Sequence, residues 1–498
     1  MLKLKSIDLQ KTPISTLAVP VCEDKDIHEG LLSVLVKEAI KIEEFHGKKD
    51  EKLTLYNPAG TKTDRVVFMG LGKHTELDPE KLRAFSGKAV KSSIKNGLKD
   101  MVIGTPALDR LSMDKTDLVE AVLEGACLGN HVFDKYKKDK KLKPLKQITL
   151  MLSSGSVKKF TKLPRRVEAI CKGTLLARDW VSTPSNDKTP AQLSKAIISM
   201  AKKENLKTTL LSPKQLQQDK FGALMAVAAG SQNTPRLVVL EYAPKGAKKT
   251  VALVGKGVTF DSGGINLKPT GGLEDMKIDM SGAAAVAATL ISAAKLKPKV
   301  RIVGVMPLVE NMISGSATRP GDIIKSHAGK TIEIGNTDAE GRLILIDAMS
   351  YTIQKFKPDV MIDIATLTGA CVVALGEKIA GLFTSDDALA ETIMKSGQKT
   401  HERIWRMPLP ADYKKLLKSD FADINNMSST RWGGAITAAL FLSDFTEGTR
   451  WAHIDIAGPA YQKKAAPTAM PGAPALACVC SVTLSIDSNR VYWVRWVR

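Results

Sequence analysis

The sequence has no apolar run that approaches the length of a membrane-spanning helix. Its longest candidate, residues 283–294, is interrupted by Thr289 and Ser292, so we expect a buried helix there. The amino terminus alternates polar and apolar residues, as a strand does, and it has no apolar core of a signal peptide. These absences predict a protein of the cytoplasm with no membrane partner.

Cysteine and histidine are scarce. The 498 residues include 6 cysteines and 7 histidines. The cysteines are scattered without metal-binding spacing, which is typical of a reduced chain with free thiols. The H-E-x-x-H motif of zinc peptidases is absent, as are the phosphate-binding P-loop and the dinucleotide fingerprint. Any metal site in this chain must therefore be built from carboxylates, whose oxygens bind hard divalent cations.

Basic residues outnumber acidic ones, 73 to 52, and give a formal net charge of +21. Lysines concentrate in residues 135–143, a run that we expect to form a solvated helix end or loop. The alternative is a surface that binds polyanions, which makes DNA a candidate partner. No recognised nucleic-acid motif accompanies the lysines, and few aromatics lie among them.

The chain is long enough for two domains with sizeable cores, since 44% of its residues are hydrophobic. Strands and helices mix in residues 1–163, which predicts a small N-terminal α/β domain. Residues 164–183 read as a linker helix begun by a proline. In residues 184–473 apolar strands alternate with helices, which predicts an α/β domain whose central, mostly parallel or mixed sheet is flanked by helices. The clearest predicted strands are residues 53–56, 65–70, 101–104, 237–242, 251–254, 301–306 and 359–365, and the clearest helices are residues 31–44 and 117–128.

Residues 336–343 read N-T-D-A-E-G-R-L and place two carboxylates close to an arginine. In an extended or looped segment, residues two apart lie on one side. Asp338, Glu340 and Arg342 would then face one site as two metal ligands and one anion-holding cation. An isolated D-x-E would more simply be a solvated acidic turn, so the interpretation depends on what lies upstream.

Residues 255–264, G-K-G-V-T-F-D-S-G-G, hold Lys256 and Asp261 among glycines, and Lys268 and Asp279 follow. The preceding apolar residues 251–254 predict a buried strand, and polar groups after such a strand suit the carboxyl edge of an α/β sheet. Ordinary surface charges are the alternative. Because the surrounding residues are apolar or glycine, these charges must instead be paired or bound to metal.

The two elements together resemble the leucine aminopeptidase (cytosol aminopeptidase) family of two-metal exopeptidases, in its bacterial type. Both family motifs, N-T-D-A-E-G-R-L and G-K-G-x-x-F-D-S-G-G, are present in full. The resemblance runs from about Ala177 to Gly458, and it makes residues 184–473 the catalytic domain. It implies a leucyl aminopeptidase that releases N-terminal residues, preferably leucine and other large apolar ones, from peptides. It also implies a homohexamer, and some bacterial members of the family bind DNA as well.

The resemblance implies a ligand set for two divalent ions, manganese or zinc. Asp261 and Glu340 would bridge the two ions. Asp338 would complete the more exchangeable site, and Lys256 and Asp279 the tighter one. A lysine ligand must be neutral, so its pKa must fall far below the usual value.

The resemblance also implies catalytic roles. A metal-bridging water would be the nucleophile, Lys268 would polarise the scissile carbonyl, and Arg342 would hold a bicarbonate-like anion that acts as general base. Met276, Thr366 and Gly369 match the pocket for the first side chain, although plain core packing is nearly as good an explanation of Met276.

Three further positions bear on this interpretation. Asp363 lies in an apolar strand, so we expect a structural group, or one that supports the ligands, and not a ligand itself. Ser281 stands where the family usually has glycine or cysteine, and a serine fits if the backbone there is ordinary. From Pro474 onward the chain departs from the family, which usually continues with T-G-F-G-V-R. Our hypothesis is that residues 474–498 are a frameshifted tail; the alternative is a genuine partner-binding strand.

Overall fold

The computed structural model describes residues 1–460, 467–468, 480–481, 485–487, 490–492 and 495–496. They form two compact units, of which Met1–Lys172 is the first, while the second begins at Gly173. The division falls inside the helix Leu163–Ser182. The domain limits drawn from the sequence, at residues 163, 183 and 473, stay predictions. The hypothesis of a shifted reading frame from Pro474 concerns a segment that lies largely outside the described residues.

The first unit is built on a six-stranded sheet. Its strands are β1 (Leu2–Lys5), β2 (Leu17–Val21), β3 (Lys52–Tyr56), β4 (Arg65–Gly70), β5 (Asp100–Gly104) and β6 (Gln147–Met151). Its helices are α1 (Gly30–Ile40), α2 (Pro79–Lys95), α3 (Lys115–Gly129) and α4 (Ser154–Lys159), and α5 (Leu163–Ser182) continues into the second unit. The sheet order is β1-β6-β5-β2-β4-β3, with neighbours parallel apart from β3 and β4. Residues 135–143 form an exposed stretch without helix or strand, as predicted.

The second unit contains the remaining elements. Its strands are β7 (Lys207–Leu211), β8 (Arg236–Tyr242), β9 (Thr250–Gly255), β10 (Gly257–Asp261), β11 (Arg301–Asn311), β12 (Ile323–Lys325), β13 (Thr331–Glu333), β14 (Val360–Ala365), β15 (Ala380–Phe383), β16 (Ile404–Arg406), β17 (Ile424–Asn425) and β18 (Trp451–Asp455). Its helices are α6 (Pro190–Lys203), α7 (Pro213–Gln218), α8 (Gly222–Ala228), α9 (Ser281–Leu296), α10 (Glu340–Phe356), α11 (Gly369–Leu375), α12 (Asp387–Thr400) and α13 (Gly434–Ser443). Four short strands follow, β19 (Cys480–Ser481), β20 (Ser485–Asp487), β21 (Arg490–Tyr492) and β22 (Arg495–Trp496).

The large sheet has the order β16-β15-β18-β14-β9-β11-β8-β7, and β10 also pairs with β11. Its centre, β18-β14-β9-β11, is parallel, whereas β15 and β8 join it antiparallel. Side chains of β14 alternate between two cores: Ile362 and Ile364 pack with α6 and α9, and Met361 and Ala365 pack with α8, α10 and α13. This mixed α/β sheet with helices on both faces confirms the predicted fold class.

Helix α9 runs through the core beneath the sheet. Residues 281–293 are all buried, which confirms the buried helix predicted at residues 283–294. Its alanines and Gly282 let the helix approach the strands closely, since a side chain at Gly282 would overlap the backbone of Ile364. Among the described residues, no helix is long and apolar enough to cross a membrane.

Candidate metal centre

The candidate site lies where parallel strands of the large sheet end. Lys256 directly follows β9, and Thr366 directly follows its parallel neighbour β14. Asp261 is the last residue of β10. Open α/β sheets bind ligands outside the carboxyl ends of their strands. The sheet therefore gathers distant parts of the chain at the edge where the sequence predicts the polar groups after residues 251–254.

The prediction that Asp338, Glu340 and Arg342 lie on one side of an extended or looped segment is wrong for the backbone from Glu340 onward and for the side chain of Arg342. Glu340 is the first residue of α10, and Asp338 lies in the turn before it. Residues two apart in a helix point about 200° apart. Glu340 accordingly meets Lys256, whereas Nη1 of Arg342 donates to the carbonyl oxygen of Asn426 at 2.9 Å.

Carboxylates of the two motifs converge nonetheless. Asp261, Asp338 and Glu340 each offer one oxygen, and these oxygens lie within 4.8 Å of one another. Asp261 and Glu340 are buried, whereas 36% of the Asp338 side chain is exposed. Carboxylate oxygens gathered in this way are suitable ligands for hard divalent cations.

Lys256 and Asp279 lie on the buried side of this cluster. Lys256 Nζ is 2.7 Å from Oδ2 of Asp279 and 2.8 Å from Oε1 of Glu340, and it donates to the Thr366 carbonyl at 2.9 Å. Burial disfavours its charge, but Asp279, Glu340 and Asp261 outweigh burial and raise the pKa of Lys256 above its usual value. Lys256 can therefore be a neutral ligand only if metal cations replace the positive charge that its ammonium group supplies to the carboxylates.

Lys268 occupies the more exposed side. Its Nζ lies 2.8 Å from Oδ2 of Asp261 and also forms an ion pair with Asp338. Burial opposes the charge, but Asp261, Glu340 and Asp338 together raise the pKa of Lys268 above its usual value. An ammonium group thus reaches Asp261 and Asp338 from the open side of the site.

The charges of the cluster do not balance, because four carboxylates face two ammonium groups. Burial, aided by Asp261, raises the pKa of Glu340 to about 8 and that of Asp279 to about 6, and burial also raises the pKa of Asp338. Oδ2 of Asp279 and Oε1 of Glu340 are buried and accept no well-aligned hydrogen bond from the described residues. Buried carboxylates that outnumber the ammonium groups beside them fit a site for divalent cations.

Arg342 lies behind the carboxylates. The residue is buried, its Nε has no hydrogen-bond partner among the described residues, and its guanidinium lies 6.0 Å from the ring centre of Phe441. Burial lowers the pKa of Arg342 to about 10, although Glu340 and Asp455 oppose the shift. A buried guanidinium with a spare donor can hold a small anion.

The three predicted pocket residues have different surroundings. Met276 is half-buried and opens the 3₁₀ turn Met276–Ile278, which leads to Asp279. Thr366 is buried, and its hydroxyl donates to Oδ1 of Asp279 at 2.6 Å. Gly369 is exposed at the start of α11. The structure thus brings Thr366 directly against the predicted ligands.

Sequence reasoning missed Asn311 and Thr337, which join the two motifs. Nδ2 of Asn311 donates to Oδ1 of Asp261 at 2.8 Å and to the Thr337 carbonyl at 3.1 Å. The Thr337 hydroxyl donates to the Gly263 carbonyl at 2.6 Å and accepts from the Asn266 backbone N–H at 2.9 Å. Thr337 stands inside the motif and could have been noticed, but Asn311 carries no signal beyond its place at the end of β11.

Two other predictions about this region are confirmed. Oδ2 and Oδ1 of Asp363 lie 2.6 Å from Nε1 of Trp451 and from Nδ1 of His453, so Asp363 is a structural group. Ser281 has an ordinary helical backbone at the start of α9, and its hydroxyl donates to the Ile278 carbonyl at 2.5 Å.

Comparison with known proteins assigns the chain to a family. Residues 175–479 match the model described as "Cytosol aminopeptidase family, catalytic domain", and residues 21–140 match the N-terminal domain of the same family. A probable cytosol aminopeptidase of Geobacter sp. (strain M21) is 44% identical over 433 residues, which are 86% of this chain and 87% of the relative. One of Pseudomonas syringae pv. tomato is 40% identical over 472 residues, 92% of this chain and 94% of the relative.

Solved structures resemble the chain along most of its length. The bottromycin maturation enzyme BotP in complex with Mn has a TM-score of 0.81 and 34% identity, covering 91% of this chain and 94% of that one. A mutant of tomato leucine aminopeptidase has a TM-score of 0.84 and 31% identity, covering 95% and 94%. The chain therefore belongs to the cytosol aminopeptidase family and is an aminopeptidase, a hydrolase that acts on peptides.

Proposed function

We propose that this aminopeptidase uses two divalent cations to release leucine and other large apolar residues from the amino termini of peptides. The main supporting observation is the cluster in which Asp261, Asp338 and Glu340 place oxygens within 4.8 Å of one another. Lys256 and Asp279 extend that cluster on its buried side. The Mn complex of the similar BotP structure supports manganese, and zinc suits the same donors.

The five residues would share the ions between them. Asp261 and Glu340 would bridge, Asp338 would hold the ion nearer solvent, and Lys256 and Asp279 would hold the buried one. Divalent ions at such a site acidify water and polarise a carbonyl oxygen. The exposure of Asp338 supports its assignment to the more exchangeable ion, because that side of the cluster is open to exchange.

The chain's own cations would act on the substrate and on the anion. The Lys268 ammonium would donate to the scissile carbonyl oxygen, where negative charge develops during attack. Arg342 would hold a bicarbonate-like anion that takes a proton from the attacking water, because a guanidinium cannot itself accept one. Asp279 would accept hydrogen bonds from the free α-amine of the substrate, so a blocked amine would not bind.

Release of nitroaniline from leucine p-nitroanilide tests this proposal. We expect Mn²⁺-dependent turnover that a chelator abolishes and that falls at least 100-fold in Lys268→Ala and Asp338→Ala. Asp139→Ala and Lys140→Ala, in the exposed lysine run, are the matched controls and should retain the wild-type rate. Metal-loaded wild-type protein without turnover would contradict the proposal.

We also propose a homohexamer in the cytoplasm, on the strength of the family resemblance. Sedimentation of the purified chain tests the assembly.

DNA binding, the alternative function, gains no support from the comparisons. DNA binding therefore stays a prediction. Salt-sensitive retention of the Asp338→Ala protein on DNA would support it.

A further inference from the structure

The 3₁₀ turn Ser185–Asp187, between α5 and α6, contacts the strand that carries Asp261. Oγ of Ser185 donates to the carbonyl oxygen of Thr259 at 2.8 Å, two residues before Asp261. The pairing of β10 with β11 is irregular at this point, with a register shift between Val258 and Asp261. The serine therefore binds β10 where its ladder is interrupted and where the carboxylate leaves the sheet.

Lys188 follows this turn and contacts the other ligand-bearing segment. Its Nζ donates at 2.7 Å to the carbonyl oxygen of Lys277, two residues before Asp279, and at 3.1 Å to that of Val181 in the last turn of α5. Lys277 lies inside the turn Met276–Ile278, which leads directly to Asp279. One amine thus ties that turn to the end of a long helix.

The Lys188 side chain is unusual for its surroundings. Only 2% of the residue is exposed, and among the described residues no carboxylate lies within ion-pair distance of its Nζ. Burial lowers the pKa of Lys188 well below its usual value. Burying an amine costs free energy unless its hydrogen bonds are made. The hydrogen bonds to the two carbonyls therefore offset the cost of burying Lys188.

We infer that Ser185 and Lys188 are positioning residues that hold the Asp261 and Asp279 segments at the spacing required by two divalent cations. The inference rests on the proposed function, because it concerns the same two-cation site. Ser185 acts through β10, and Lys188 acts through the turn Met276–Ile278. Both side chains donate to backbone carbonyls and not to the carboxylates themselves, so each would act on the ions only through the segment that it holds.

The test titrates Mn²⁺ into the full-length, metal-stripped protein and follows free Mn²⁺ by electron paramagnetic resonance. The variants are Ser185→Ala and Lys188→Met. Ser194→Ala is the serine control, because its hydroxyl donates to the Ala191 carbonyl inside α6. Lys330→Met is the lysine control, because its amine donates to the Asp444 carbonyl. Thermal unfolding of each variant establishes that it is folded.

We expect the wild type and both controls to bind two Mn²⁺ per chain with affinities equal within about twofold. Loss of one or two hydrogen bonds should weaken binding roughly threefold to tenfold in Ser185→Ala and about tenfold or more in Lys188→Met. Lys188→Met should also lose preference for leucyl over alanyl p-nitroanilide in kcat/KM, since Met276 lies in the released turn. A purely structural role would lower the unfolding temperature and leave the isotherm and the preference unchanged.

A folded Lys188→Met or Ser185→Ala protein that binds Mn²⁺ like the wild type overturns the role of that residue. If Lys188→Met does not fold, Ser185→Ala decides, and a wild-type isotherm there overturns the inference. A wild type that binds two Mn²⁺ but releases no leucine refutes the proposed function, while the isotherms still judge the two positioning residues. A wild type that binds no Mn²⁺ contradicts both.

Discussion

Asn311 donates a 2.8 Å hydrogen bond from Nδ2 to Oδ1 of Asp261, and the same nitrogen donates to the Thr337 carbonyl. One amide group thereby joins the end of β10 to the turn before α10, and the two residues that it binds, Asp261 and Thr337, are both buried. The site is consequently held by residues outside its two motifs as well as by those within them.

Asn311→Ala should lower both stability and Mn²⁺ affinity. The change leaves a buried carboxylate oxygen and a backbone carbonyl with one donor fewer, which costs about 1–3 kcal/mol. Urea unfolding and Mn²⁺ titration measure the two effects. Asn233→Ala is the matched control, because its amide also donates to a carboxylate, that of Glu310, at 2.9 Å; it should leave Mn²⁺ binding unchanged. Equal isotherms for the two variants would show that the Asn311 amide does not shape the site.

Gly263→Ala should impair the site far more than Gly271→Ala, although both glycines have a positive φ, +87° and +88°. A Cβ at Gly263 would overlap the backbone carbonyl oxygen of Asn266 and would lie 2.9 Å from Oδ1 of Asp338, whereas one at Gly271 would meet nothing within 4 Å. Both variants carry the backbone strain of about 1 kcal/mol. Because only Gly263→Ala also crowds the site, only this variant should lose Mn²⁺ affinity and turnover. If both variants lost activity to the same extent, strain and not crowding would be the cause.

The sequence predicts the chemistry of this site better than its geometry. Lys256 and Asp261 could be placed at a sheet edge because an apolar run precedes them and the carboxyl ends of parallel strands lie at the same edge of a sheet. The predicted conformation of residues 338–342 is incorrect, because charged residues spaced two apart fit one side of an extended segment as well as they fit a turn followed by a helix. The apolar residues after Glu340, an acidic residue suited to a first helical turn, favour the helix that is found. Asn311 and Lys188 could not be predicted, because their partners are 50 and 89 residues away in the chain.

Asp347 should make the stability of the protein depend on pH. Burial raises its pKa to about 7, although backbone N–H groups of His327 and Leu224 favour the ionised form. A carboxyl group whose pKa is higher in the folded than in the unfolded chain stabilises the fold at pH values below its pKa in the unfolded chain. This contribution is lost as the pH rises through its pKa in the folded chain, which is about 7. The free energy of unfolding of the wild type, relative to Asp347→Asn, should therefore fall between pH 4 and 7. A difference that stays constant over this range would contradict the raised pKa.

Mn²⁺ should stabilise the wild type but not Glu340→Gln. Ions that bind only the folded chain add about 2.7 kcal/mol when present at 100 times their dissociation constant. Because the pKa of Glu340 is raised to about 8, a neutral glutamine resembles the protonated side chain of the metal-free protein at pH 7, so the metal-free variant should be about as stable as the metal-free wild type. Thermal unfolding with and without chelator measures both effects. An equal Mn²⁺-induced rise in the two proteins would exclude Glu340 as a ligand.

Arg342→Ala should retain Mn²⁺ and lose rate. The guanidinium donates to the Asn426 carbonyl and lies 6.0 Å from the centre of the Phe441 ring, so its removal leaves the ion pairs of the carboxylate cluster in place. If Arg342 binds the anion that accepts a proton, kcat should fall about 100-fold or more. Bicarbonate should then stimulate wild-type protein that has been depleted of bicarbonate, but not the variant. Because the truncation leaves a cavity, Arg342→Met serves as a second variant of similar bulk without charge, and it should show the same kinetics. A variant that keeps its rate would contradict the anion-holding role, and one that loses Mn²⁺ along with its rate would instead make Arg342 a support of the cluster.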